Sequence, residues 1–205
     1  MNYKELFNRV VLLLSSPAQA WMQIEKEEDR KKVMGTFVYP MIGLCGLSVF
    51  IGTFIGNTAG VSAFQIAMTR CCATFVSLFG GFFLASYLTN LLGKNILGRE
   101  DEMELNQQYV GYAMVVSFVL DIVSGLFSIS ILRWILQFYT VFVAYEGARE
   151  LMKVDEKNLT RYALIVSLII IVCPSLIATI FDKLSPLMDN EEKKWLQQAC
   201  SPLKV

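Results

Sequence analysis

The sequence predicts an all-α fold, an integral membrane bundle of five transmembrane helices preceded by an amphipathic helix at the membrane interface. Three observations carry that expectation. Of 205 residues, 55% are hydrophobic and the mean hydropathy is +0.49, more apolar than the ~45 to 50% of an ordinary soluble domain. The eighteen basic and eighteen acidic residues gather between the apolar runs. Those runs approach the ~20 residues that a helix needs to cross a bilayer core. The chain divides accordingly into a cytosolic amphipathic arm (1–32), a transmembrane domain (33–181) and a polar carboxyl-terminal tail (182–205).

In the arm, Leu6, Phe7, Val10, Val11, Leu13 and Leu14 form a helical stripe opposite Lys4, Glu5, Asn8 and Arg9, the pattern of a helix lying in the headgroup plane. A signal peptide cleaved after Ala18-Gln19-Ala20 is the competing reading. Against it, Glu5 stands in the leading region and charges run up to Arg9, leaving a very short apolar core. Trp21 is expected to anchor at the interface. The mixed charges from Glu25 to Lys32 read as a solvated cytosolic face.

The first span, Val33 to Gly56, contains Pro40, whose missing N–H frees a carbonyl and predicts a bend. Gly52 and Gly56 are spaced to let another helix approach closely. Packing within the chain is their expected use, with a homo-oligomer as the competing one. After an uncharged connection from Asn57 to Gln65, the second span runs from Arg70 to Leu92. Its Gly80 and Gly81 suit close contact with the glycines of the first. Arg70 lies at the outer end. Glu100, Asp101, Glu102 and Glu104 read as a hydrophilic loop, because the spaced oxygen ligands and central glycine of a calcium loop are missing.

Tyr109 to Glu150 reads as a membrane hairpin turning near Phe127 and Ser128. Asp121 and Arg133 then sit at matching depth, roughly 8 to 10 Å from the turn. Each charge alone in the apolar zone costs at least ~2.5 kcal/mol, so an ion pair locking the tip is expected, with Arg70 near enough to join. The alternative is a small-solute or ion transporter or channel using Asp121 with Arg70 and Arg133. The fifth span, Tyr162 to Phe181, is interrupted by Pro174, a second expected kink. One short amphipathic turn is expected in the tail.

Lysines and arginines concentrate in the arm, at Lys94 and Arg99, and between Arg149 and Arg161. The positive-inside rule therefore places the amino terminus in the cytoplasm and, with five spans, the carboxyl terminus outside a cell (inner) membrane. The balanced net charge gives no reason to expect nucleic acid as a partner. Histidine is absent and the five cysteines form no spaced framework, so no metal or cofactor is expected. With no phosphate loop, nucleophile elbow or zinc-binding helix, the chain reads as a non-enzyme whose partners are membrane lipids and other membrane proteins.

The Pro17-x-x-x-Trp21 approach, the charged segment after it, Tyr39-Pro40, the long second span and Gly111-Tyr112 opening the third together resemble the Yip-domain family. These are multi-pass proteins whose eukaryotic members bind Rab-type GTPases in vesicle traffic. The resemblance covers most of the chain from Leu12 and implies a helical bundle without catalytic residues that shapes membranes or holds partners. The chain departs from the eukaryotic pattern in lacking an Asp-Leu-Tyr-Gly-Pro-like segment and a long cytosolic region. It looks more like a compact bacterial branch, to which Rab binding does not carry over.

Overall fold

The apolar runs are helical wherever the computed structural model describes them; it describes residues 3–27, 29–56, 61–98, 102–127 and 136–199, and side chains for all of these except 61, 62 and 184–199, so the expected hairpin tip near Phe127 and Ser128 lies largely outside the described residues. In chain order the helices are α1 (Tyr3–Ser15), α2 (Pro17–Glu25), α3 (Tyr39–Gly56), α4 (Val61–Leu97), α5 (Met103–Ala113), α6 (Val115–Phe127), α7 (Tyr139–Glu150) and α8 (Glu156–Ala199). Three stretches are long and apolar enough to cross a membrane: Met34–Gly56, Ala63–Leu97 and Glu156–Lys183. The pair α5 and α6, bent by 40° at Met114, makes a fourth if it acts as one span. Only 33%, 33% and 22% of the three apolar windows is buried within the protein. What remains must face lipid, because so much exposed apolar surface has no place in water.

Pro40 is accommodated by a π turn over Met34–Val38, in which the Tyr39 N–H reaches back five residues to the Met34 carbonyl. The wider turn makes room where proline can neither donate a hydrogen bond nor tolerate the preceding carbonyl in its usual place. Pro174 lies inside α8, an unbroken helix of 44 residues. Hydroxyls along the spans donate to their own helix: Ser77 to Ala73, Ser86 to Phe82, Ser167 to Ala163 and Ser175 to Ile171. These bonds keep polar side chains tolerable in an apolar setting.

Close helix approach fixes the order of the bundle. A Cβ on Gly52 would collide with the Gly125 carbonyl, and one on Gly125 would lie 2.7 Å from Ser48 Oγ, so α3 and α6 cross almost backbone to backbone. Gly81 faces Pro174, whose Cγ, Cα and N all lie 2.6–2.8 Å from where a Cβ would stand, and Gly80 faces Ile177 at 2.8 Å. The strip on α4 thus meets α8, not the glycines of α3, since the proline ring needs a partner without a side chain. Gly56 has nothing within 4 Å among the described residues; at the end of α3 it lies beyond the crossing.

Several boundaries differ from the sequence expectation. Helix α4 begins at Val61, inside the expected connection, and α5 begins at Met103, with Glu104 in its first turn, where a carboxylate complements the helix dipole. The segment after Asp182, expected to hold one short turn, continues α8 to Ala199. Its Glu, Lys, Gln and Leu residues favour helix, and the helix runs on through Pro186.

The arm is not a free appendage. Ser16 is the only residue between α1 and α2, Pro17 opens α2 at a position suited to proline, and the two helices pack together as a hairpin. Leu13, Ala20, Trp21 and Ile24 are fully buried. Trp21, expected at the lipid interface, is instead a core residue, because α2 runs along α7.

Candidate functional site

Two polar constellations occupy opposite ends of the bundle. At the end carrying the arm, Trp21 donates its indole N–H to the Val143 carbonyl at 2.9 Å, and Tyr109 donates its hydroxyl to the next carbonyl, Ala144, at 2.7 Å. A carbonyl has two lone pairs, so both can accept while remaining in the α7 ladder. Gly147 admits the two rings: a Cβ there would meet Trp21 at 2.6 Å and Tyr109 at 2.7 Å. Tyr112 stands edge-on to Trp21 with ring centroids 6.2 Å apart and donates to Glu27 Oε2 at 3.3 Å. Glu27 in turn pairs with Arg9, whose guanidinium lies 5.8 Å from the Tyr112 ring centre.

Ion pairs spread outward from this hub. Lys153 meets Glu25, and Lys31 meets Glu104 at 3.0 Å; the Glu104 carboxylate raises the Lys31 ammonium above its ordinary pKa. Lys153 is held with positive φ, 46°, in the turn between α7 and α8, where its side chain reaches α2. The start of α3, the start of α5 and the α7–α8 turn therefore share one end of the molecule with the base of the arm.

At the other end, α3, α4, α6 and α8 enclose a crevice of about 620 Å³. Arg70, Asp121 and Asp182 line it together with Thr53, Thr74, Ser77, Ser124 and Ser175. The structure thus brings Arg70 and Asp121 to one cavity. Arg133, their expected companion, lies outside the described residues. Gly52, Gly56 and Pro174 contribute to the wall, so residues singled out for packing also shape the cavity. Asp182 was not singled out from the sequence, where it looks like the first residue of a solvated tail. Glu27 and Tyr112 were missed as well. Arg9 gave no signal for them, because it stands on the polar face of α1 with Lys4, Glu5 and Asn8, and its partner Glu27 lies 18 residues on.

Among the described residues no group of three or more Cys, Asp or Glu side chains is placed to hold a metal ion. Cys71, Cys72 and Cys173 are in no disulfide among the described residues, and the Cys45 thiol donates to the Phe118 carbonyl at 3.3 Å.

These features define a polytopic helical membrane protein whose amino-terminal hairpin is built into the bundle. The chain belongs to the Yip1 domain family, whose family model matches residues 11–177. Comparison with curated proteins and with solved structures gave no match. The matched stretch begins within α1 and ends in the α8 wall of the crevice, taking in the Trp21 hub, Arg70 and Asp121 but stopping short of Asp182.

Proposed function

We propose that the protein is a non-enzymatic membrane organiser of the Yip-domain type, from the compact bacterial branch, which acts by shaping lipid and holding other membrane proteins. The observation that carries this reading is the α1–α2 hairpin. Leu6, Val10 and Leu13 bind α1 to the protein while Tyr3, Phe7 and Val11, one helical row, stay exposed. The Tyr139 hydroxyl donates to the Leu14 carbonyl at 2.8 Å, which ties the turn of the hairpin to α7. An apolar row held rigidly beside the spans is a wedge for one leaflet, supported by lysines and arginines at its base.

The same geometry supports five spans in an inner membrane. Helix α6 ends beside Gly52 near the end of α3, whereas the α7–α8 turn lies at the arm end. The chain must therefore return across the bundle between Phe127 and Glu150. With basic residues concentrated at the arm end, the amino terminus is cytoplasmic and the carboxyl terminus outside. Homo-oligomers remain compatible with this arrangement. A transporter using Asp121, Arg70 and Arg133 is less well supported, since Thr74, Ser77 and Ser175 in the crevice already donate to their own helix carbonyls.

The test is remodelling of anionic vesicles by the purified full chain. Replacing Tyr3, Phe7 and Val11 together with glutamate should abolish tubulation while thermal stability in detergent changes little, because all three side chains are exposed. Unchanged tubulation by the triple variant would refute the wedge.

A further inference from the structure

At the arm end a second cavity, about 660 Å³, opens between α1, α2, the π turn that leads into α3, and α5. Part of its wall is the charged stretch around Asp29 and Lys32. Thr36 and Phe37, about one turn further on, belong to the apolar span that begins at Met34. The cavity therefore sits where charge gives way to hydrocarbon, the level of lipid headgroups. Its volume falls within the usual range for small-ligand sites, about 300 to 1,000 Å³.

The charges on this wall answer one another. Arg9 pairs with Glu27, Lys32 meets Asp29 at 3.5 Å, and Glu5 is engaged as well. A charged ligand would have to open one of these pairs or face the like charge beside it. What the wall still offers is hydrogen bonding. The Arg9 guanidinium, a fork of N–H donors, bonds only to Glu27 among the described residues. Its Nη1 is buried without an acceptor among them, so a ligand that draws the guanidinium slightly outward gains a bond that the free protein lacks. The Asn8 and Gln23 amides border the same space, exposed and without a hydrogen bond among the described residues. The Glu27 carboxylate, held by Arg9 and by the Tyr112 hydroxyl, keeps lone pairs to spare.

A hydroxyl both donates and accepts. A row of hydroxyls can therefore take N–H from Arg9 and the two amides and return O–H to Glu27, with no charge to disturb the pairs. Leu12, Phe37 and the Tyr112 ring also border the cavity and suit the C–H faces of a sugar. We propose that this cavity binds an uncharged polyhydroxyl group, the sugar headgroup of a neutral glycolipid in the leaflet on the arm side. The site goes beyond the wedge, whose Tyr3, Phe7 and Val11 do not line it.

The experiment is retention of monoglucosyldiacylglycerol, against diacylglycerol of the same chains and against phosphatidylglycerol, by the purified full chain in a detergent without a sugar headgroup, read by native mass spectrometry. The glucosyl lipid should be retained about tenfold better than diacylglycerol, equivalent to about 1.4 kcal/mol, since a site built to hydrogen-bond hydroxyls rejects the analogue lacking them. It should also be retained better than phosphatidylglycerol. Asn8→Ala with Gln23→Ala, two exposed side chains, should lower its retention severalfold while thermal melting is unchanged. Arg9→Lys keeps a charge opposite Glu27 but loses the fork of donors, and should lower retention too. Soluble methyl glucoside tells the source of the ligand: competition supports a site for the sugar itself, free or on a lipid, whereas retention without competition supports a site that also needs the chains. Glucosyl lipid retained no better than diacylglycerol, retention unmoved by Asn8→Ala with Gln23→Ala, or a preference for phosphatidylglycerol would each overturn the proposal. The triple variant at Tyr3, Phe7 and Val11 should retain the glucosyl lipid as the native chain does, so failure of the wedge and failure of this site are told apart.

Discussion

Gly52→Val is expected to unfold the bundle in detergent at temperatures where the native protein is intact, while Gly43→Ala is tolerated. The difference lies in what each new side chain meets. At Gly52 even the first carbon collides with the Gly125 carbonyl, and Gly125 itself lies close to Ser48 Oγ and the Val49 N. Backbone atoms cannot rotate away as a flexible side chain can, so α3 and α6 would have to separate. Overpacking a core costs about 1 to 3 kcal/mol where neighbours can adjust, and here the neighbour is main chain, so the loss should reach or pass the top of that range. Around Gly43 nothing among the described residues lies within 4 Å, and alanine favours helix over glycine by up to about 1 kcal/mol. Thermal melts of the two variants followed by circular dichroism make the comparison. Equal melting of both would mean that α3 and α6 do not cross at Gly52.

The second large effect is expected at Trp21. Truncation to alanine removes the largest fully buried side chain among the described residues, its hydrogen bond to Val143 and its contacts with Tyr109 and Tyr112, whose ring centroids lie 5.7 and 6.2 Å away. Tryptophan-to-alanine changes in a packed core cost about 3 to 5 kcal/mol. Trp21→Phe should cost less, keeping most of the apolar contact and losing a hydrogen bond worth about 1 kcal/mol. Gly147→Leu should act from the opposite side, since its side chain would occupy the space of the two rings. With α2 no longer seated, Trp21→Ala and Gly147→Leu should be markedly less than additive in combination, the signature of residues sharing one contact. Limited proteolysis of the arm provides the readout. An arm as resistant in Trp21→Ala as in the native chain would contradict the packing.

The particular residues show why some of this was legible in sequence and some was not. Apolar run lengths indicate spans because the bilayer imposes a length. Glycine strips indicate close approach because only a missing Cβ allows it. Neither names a partner: Gly81 meets Pro174, and Gly52 meets Gly125, close to the turn expected near Phe127 and Ser128. Trp21 looked like an interface anchor because tryptophan favours that position, and a single helix pattern does not reveal that α2 folds back along α7. Ser16-Pro17 was the available signal, a helix stop followed at once by a helix start. Asp182 was passed over because it is the first charge after an apolar run and looks like the start of a tail, yet the helix continues through it and places it on the crevice. The break at Met114 has no proline or other local cause that we can identify.

The account rests on an amino-terminal hairpin docked at the end of the bundle where α7 turns into α8. Cysteines placed at Glu25 and Lys153, in a chain otherwise free of cysteine and kept in native membranes, test this most directly. The carboxylate and ammonium of these residues meet at 2.5 Å at the tips of two long side chains, so Glu25→Cys with Lys153→Cys should be joined by a short thiol-to-thiol crosslinker, while Glu25→Cys with Lys183→Cys, at opposite ends, should not. Failure of the first pair to link, or linkage of the second within one chain, would contradict the architecture.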